Sequence, residues 1–358
     1  MTPLPPFAPL STGRHVGVNS RSAATTVAKI TVVSVAALLV AAGCSSSGST
    51  KADSGSSQAP STEPATTAAP GQSGQRGRIV VLIEENHSAD QIIGQPELPK
   101  LNALAKQGTL VNQFFAITHP SLPNYIALTS GGTQGITSDC GQCDVAADNL
   151  GAQLQKAHVT WKVYAQGLPA ACDRSPTAGA YAKKHVPFLY YRSVIDDPKA
   201  CAAIVPFDQF ATDAKAGKLP DVAFVIPDLA HDMHGTGEGQ DNGQHQIEVR
   251  ADDFAGQVHQ TLMASPAWQQ DTRLVVTWDE GGGGQSGPTS CCDGLAKGGH
   301  IPTLVVGPKV PAGKDDTTYT TYSLLKSIEQ RYGLPLLGHA ADAQTKAIPA
   351  LTQPPRSS

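Results

Sequence analysis

An α/β fold, with a mainly parallel central sheet and helices on both faces, is the architecture that the sequence predicts. Three observations carry it. Short apolar runs rich in β-branched residues recur at 79–83, 161–164, 222–226, 274–277 and 303–306. They do not alternate strictly, as expected for strands covered on both faces. Helical spacings lie between them, and strand–helix alternation means parallel strands joined by crossovers.

The first run, Ile79-Val80-Val81-Leu82-Ile83, ends in Glu84-Glu85-Asn86-His87. Leu98, Leu101, Leu104 and Ala105 then fall on one helical face, and a second helix is expected over 147–157. The run 222–226 ends in Pro227-Asp228-Leu229-Ala230-His231-Asp232-Met233-His234. Phe254, Val258, Leu262 and Met263 make the next helical stripe. The run 274–277 ends in Trp278-Asp279-Glu280 and four glycines, 281–284. Gly298-Gly299-His300 precedes the last run. Tyr322, Leu325, Ile328 and Tyr332 form a closing helix, stopped by Gly333 and Pro335. Open sheets of this kind place their sites beyond the carboxyl ends of the strands.

Four segments are expected along the 358 residues. Residues 1–43 read as a signal peptide: Arg14, Arg21 and Lys29 precede an apolar stretch, 30–42, that is short for a bilayer span. Val40-Ala41-Ala42-Gly43-Cys44 resembles a lipobox, so Cys44 is the expected lipidation site. The protein is then exported and held on the outer face of the cell membrane by its lipid, or secreted if cleavage occurs without lipidation. Residues 44–76 are Ser, Thr, Ala, Pro and Gly without apolar periodicity, a disordered tether. The domain is expected over 77–345, with a tail at 346–358. The remaining cysteines are Cys140, Cys143, Cys172, Cys201, Cys291 and Cys292. An even number in an exported chain favours disulfides. The expected pairs are Cys140–Cys143, Cys172–Cys201 and a vicinal Cys291–Cys292, with a redox dithiol at Cys140-Gly141-Gln142-Cys143 as the alternative.

Charge excludes one class of partner. With 26 Lys+Arg against 30 Asp+Glu the net charge is −4, not that of a generic nucleic-acid binder. A phosphate-bearing substrate stays compatible, because a metal ion supplies positive charge locally. Carboxylates gathered at neighbouring strand ends repel one another unless a cation neutralises them, so a divalent metal is expected. Mg, Ca, Mn, Fe and Zn all remain open. The other informative stretch is His119-Pro120-Ser121-Leu122-Pro123-Asn124-Tyr125. It puts a serine at a helix start with proline in the first turn. Such a serine is ordinarily a cap. Beside a metal site it becomes a nucleophile, with free backbone N–H groups for a phosphoryl oxygen.

These motifs, in order over about 78–340, resemble the bacterial and fungal phosphoesterases. That family includes acid phosphatases and phospholipases C and belongs to the alkaline phosphatase superfamily. The matching stretches are 79–88, 119–125, 277–282, 299–303 and 322–329. The resemblance implies an alkaline-phosphatase-like fold and a metal held by Glu85, Asn86, Asp279 and Glu280. It implies attack by Ser121, and a second metal or phosphate subsite completed by Asp232, His234 and His300. His300 or His234 would protonate the leaving alcohol. His119, Asn124 and His231 would serve substrate binding. Asp228 and His231 stand where relatives often carry asparagine, which makes them further ligand candidates. His87 stands where phospholipase-type members carry arginine, and is expected to orient the first motif.

The expected activity is hydrolysis of phosphoric esters through a phosphoserine at Ser121, on a small phosphate ester or a phospholipid. No Cys-x-Pro-x-Arg, G-x-S-x-G, H-E-x-x-H or P-loop occurs, which sets aside sulfatases of the formylglycine type and several other hydrolases. Aromatic residues make up only 5% of the chain, few for walls that seat a diacylglycerol, so a phosphomonoesterase is favoured over a phospholipase C. A reading of another class stays open: a lipid-tethered, non-catalytic binding protein stabilised by calcium. It leaves Ser121 without a purpose.

Overall fold

The computed structural model describes residues 76–236, 244–283 and 288–353. The expected signal peptide, Cys44 and all but the last residue of the tether lie outside the described residues, as does Gly284. The strands are β1 (Arg78–Glu84), β2 (Thr109–Phe115), β3 (Trp161–Ala165), β4 (Thr177–Ala178), β5 (Tyr181–Ala182), β6 (Ile204–Pro206), β7 (Val222–Ile226), β8 (Thr272–Trp278), β9 (His300–Ile301), β10 (Thr303–Val306) and β11 (Gly313–Thr320). The main sheet runs β11-β2-β10-β8-β1-β7-β3-β6, with β9 paired to β2; β4 and β5 form a separate hairpin.

β8, β1, β7, β3 and β6 are mutually parallel. β10 runs antiparallel to both β8 and β2, so the sheet is mainly rather than wholly parallel. Every residue of β1 is buried, on both of its faces. Burial of its five aliphatic side chains stabilises the fold by about 10 kcal/mol before chain entropy is counted. Helices cover the sheet, among them Pro99–Gln107, Leu150–Lys156, Gln244–Met263 and Thr321–Tyr332.

Six strands lie outside the five expected runs, the two-residue β4, β5 and β9 and three others: β2, β6 and β11. Asn112 and Gln113 interrupt the apolar run of β2. β11 is an edge strand, mostly polar and exposed, as edges that resist pairing with other chains usually are. β6 has only three residues. The expected tail is also corrected in part. Ile348 and Leu351 are fully buried, and Arg273 and Arg331 donate to the carbonyls of Ala350 (3.0 Å) and Leu351 (2.7 Å). The domain therefore continues through residue 353. All three expected disulfides are present: Cys140–Cys143, Cys172–Cys201 and Cys291–Cys292.

Candidate active site

Strand register builds the site. β1 and β8 are parallel neighbours, with Glu84 opposite Trp278. The next residue on each strand is a carboxylate, so Glu85 and Asp279 leave the sheet side by side. β7 flanks β1 on its other side, and the loop after it brings Asp232 alongside: Glu85 N donates to Asp232 O at 2.7 Å. Asn86 then turns back with φ 55°, and its N–H donates to Asp279 Oδ1 at 3.1 Å. Glycine at 282 lets this corner close, because a Cβ there would collide with the Asn86 carbonyl oxygen.

The helix Ser121–Ser130 is buried along its whole length and begins at this corner. The Ser121 hydroxyl donates to Glu85 Oε2 at 2.9 Å. One turn later, the Tyr125 hydroxyl donates to Glu85 Oε1 at 2.7 Å. Both oxygens of one carboxylate are thus held by one helix. The Leu122 N–H is not free: it donates to Asp139 Oδ1 at 2.9 Å. One of the N–H groups expected to be open at the helix start is thus already satisfied by a side chain.

His185 was not anticipated from sequence. It lies in the short 3-10 turn Lys183–His185, is 1% exposed, and stacks on the Tyr125 ring at 5.4 Å. Its Nε2 is 3.2 Å from Glu85 Oε1, and its Nδ1 is 3.2 Å from Asp232 Oδ2. A single histidine between Lys184 and Val186 carries no motif, so only the chain path reveals it. Lys184 is the second such residue. Its Nζ lies 2.8 Å from Asp139 Oδ2 and 3.2 Å from His234 Nε2, which sets a cation beside the cluster.

Burial dominates the electrostatics. Desolvation, then the charges of Asp279 and Asp232, hold the Glu85 carboxyl well above its ordinary range. Desolvation pushes Asp232 up to about 7, and desolvation with the Glu280 charge pushes Asp279 up to about 8. Desolvation and the nearby Lys184 charge hold His185 well below its ordinary value, hence neutral. His119 is half exposed, and its Nδ1 lies 3.1 Å from Glu280 Oε2; that hydrogen bond raises its pKa.

The donor set fits a divalent cation. Ligand atoms of Glu85, His185 and His234 lie within 4.8 Å of one another. Asp232 Oδ2, Asp279 Oδ2 and His185 Nε2 are buried, and none makes a hydrogen bond among the described residues. His185 Nε2 approaches Glu85 Oε1 as an ion pair would, yet not in hydrogen-bond geometry. Buried polar atoms without hydrogen bonds are costly, and a cation held by the triad would give His185 Nε2 a partner. Mixed oxygen and imidazole ligands suit zinc, iron or manganese better than calcium.

Other expected residues lie elsewhere or act differently. His300 Nε2 meets the Asn112 carbonyl at 2.8 Å and its ring stacks on Phe115. Pairing of β9 with β2 turns it to that task, and among the described residues no hydrogen bond joins it to the carboxylates. Its Nε2 is thereby held by the backbone. Asn124 acts as a brace: its Oδ1 accepts from the N–H groups of Ile117 and Thr118, and its Nδ2 donates to Thr118 O and Glu280 Oε2. His231 pairs with Asp228 at 2.6 Å, so the two departures at that loop meet each other. His87 joins the Glu85 carbonyl to Glu248, each at 3.0 Å, and so orients the first motif.

A buried serine hydroxyl held by clustered carboxylates, at the carboxyl ends of a mainly parallel sheet, defines a hydrolase of phosphoric esters. Residues 95–335 match the Phosphoesterase family, and the chain belongs to it. That stretch begins beyond the Glu84–His87 corner, which the structure adds to the site. A phosphatidylinositol-3-phosphatase of Mycobacterium tuberculosis is 36% identical over 266 residues, covering 74% of this chain and 80% of that protein. A phosphate-repressible acid phosphatase of Penicillium chrysogenum is 32% identical over 244 residues, 66% of this chain and 55% of its own length. The chain thus spans little more than half of the fungal relative. Among solved structures, an alkaline phosphatase superfamily protein from Vibrio parahaemolyticus superimposes with a TM-score of 0.51 at 16% identity, over 77% of this chain and 72% of that one. At that identity the likeness concerns the fold.

Proposed function

We propose that this phosphoesterase is a metal-dependent phosphomonoesterase acting through a phosphoserine at Ser121. The observation that carries the reading is the 2.9 Å hydrogen bond from Ser121 Oγ to Glu85 Oε2, beside buried Asp232, Asp279 and His185 atoms that make no hydrogen bond among the described residues. Glu85, His185 and His234 would hold the cation, with Asp232 and Asp279 beside them. Bound there, a divalent cation supplies positive charge against developing phosphoryl charge and stabilises an ionised oxygen nucleophile. Glu85 Oε2 receives the Ser121 proton as the hydroxyl oxygen attacks phosphorus. Tyr125 keeps that carboxylate from turning away. Lys184, anchored by Asp139, adds a fixed positive charge for the phosphate dianion. His119 replaces His300 as the donor to the leaving alcohol. What supports it is partial exposure, together with a Glu280 hydrogen bond that favours the protonated ring. Water then hydrolyses the phosphoserine.

The substrate reading is a phosphate monoester, free or on a lipid headgroup, in keeping with the names of the two relatives. Export, with lipid attachment at Cys44, is supported by the basic and apolar run before that residue. Purified protein should contain bound metal and hydrolyse p-nitrophenyl phosphate well above p-nitrophenylphosphorylcholine. A preference for the diester would favour a phospholipase C instead. Full activity in rigorously metal-free protein would remove the metal from the reading.

A further inference from the structure

A second site is built at the other edge of the sheet. A cavity of about 540 Å³ is lined there by Arg78 and Trp161, at the amino ends of β1 and β3, and by the turn that enters β7. The carboxylate corner lies at the carboxyl end of the seven-residue β1. At roughly 3.3 Å per residue, about 20 Å separates the two.

The lining carries charge of one sign. Arg78, His158, Lys162, Lys199 and Lys218 line it, and no carboxylate does. Lys162 is neutralised by Asp213 at 2.6 Å. Arg78 is buried and donates to two neutral acceptors, Leu219 O at 3.1 Å and Gln270 Oε1 at 3.3 Å. Lys199 and Lys218 are exposed; the Lys199 charge acts on the nearby Asp197, with no ion pair between them. Asp213, Asp197 and Asp221 bond to Lys162, Gln155 and Thr160 of the lining, so against its four cations a small positive excess remains, which favours anions. Trp161 contributes an apolar wall. The volume lies in the range of small-molecule sites, about 300–1,000 Å³, and exceeds what one inorganic phosphate fills.

We infer that this cavity is a second binding site, separate from hydrolysis, for an organic phosphate. Arg78, Lys199 and Lys218 hold the phosphate, and the organic body lies against Trp161. The same chemistry is offered by a free phosphorylated metabolite and by the headgroup of an anionic phospholipid.

The test uses the full chain and two probes. Phenylphosphonate has a P–C bond that ester hydrolysis leaves intact. Its titration should produce a saturable change in tryptophan fluorescence that Trp161→Phe removes. The double variant Lys199→Glu/Lys218→Glu should bind it at least about tenfold more weakly. Its thermal midpoint and p-nitrophenyl phosphate turnover should be unchanged. The second probe is co-sedimentation with phosphatidylglycerol vesicles against phosphatidylcholine vesicles. A phenylphosphonate response without vesicle capture identifies a free organic phosphate. Vesicle capture that the double variant loses identifies a lipid headgroup. A Trp161-dependent response or a capture that persists in the double variant, or none with either probe, overturns the inference; a response that Trp161→Phe leaves comes from the hydrolytic site.

Discussion

Ser121 and Glu85 come from different elements and meet in a 2.9 Å hydrogen bond that is wholly buried. Ser121 starts a helix and Glu85 follows a strand, so the pair reports the packing of that helix over the carboxyl edge of the sheet. Removal of the hydroxyl should abolish the reaction without dismantling the cluster. Ser121→Ala is expected to lower kcat on p-nitrophenyl phosphate by at least about a thousandfold. Metal content, measured by elemental analysis, should stay within error of wild type. Near-normal turnover in this variant would dismiss Ser121 as the nucleophile.

His185 tests the metal site from a residue that no motif announces. Its Nε2 and Nδ1 lie 3.2 Å from Glu85 and Asp232 carboxylate oxygens, and its ring is buried. His185→Gln keeps the size and a polar end but removes the imidazole. Metal affinity should fall by at least about tenfold, with activity recovered in part at high added metal. Unaltered affinity would remove His185 from the ligand set.

Acidity should govern metal binding in a defined direction. Folding raises Glu85 well above its ordinary value, Asp232 to about 7 and Asp279 to about 8. The metal-free folded state therefore holds more protons than the unfolded chain between roughly pH 4 and 8. Stability from these groups is present below their unfolded values and is lost as pH rises through the folded ones. Metal-free protein should melt at a lower temperature at pH 8.5 than at pH 5.5. Metal must displace those protons, so its affinity should rise over the same window and calorimetry should detect proton release. A metal-free form that gains stability with rising pH would contradict the buried-carboxylate account.

Gly282 offers a steric test of the corner. A methyl group at this position meets the Asn86 carbonyl oxygen and the Gln91 side chain. Gly282→Ala should therefore shift the Asn86 turn, destabilise the protein by about 1–3 kcal/mol and reduce kcat more than it raises KM. Denaturant midpoints and steady-state kinetics read the two effects separately. Wild-type values for both would show that the corner tolerates displacement.

Much of this protein is local in origin and therefore legible in sequence. The apolar runs of β1, β3, β7, β8 and β10 declare themselves because a strand buried on both faces needs continuous aliphatic residues. Ser121 at a helix start and carboxylates at strand ends were visible for the same reason: each is a property of a few consecutive residues. β11 was hidden because an exposed edge strand has no apolar signature.

Tertiary structure decided which of those groups meet. Parallel register sets Glu85 beside Asp279, and the path of the chain after β5 delivers Lys184 and His185 to them. Pairing of β9 with β2 turns His300 toward a backbone carbonyl instead. Side-chain convergence across distant segments depends on how strands order and helices pack, and no single stretch of sequence encodes that order.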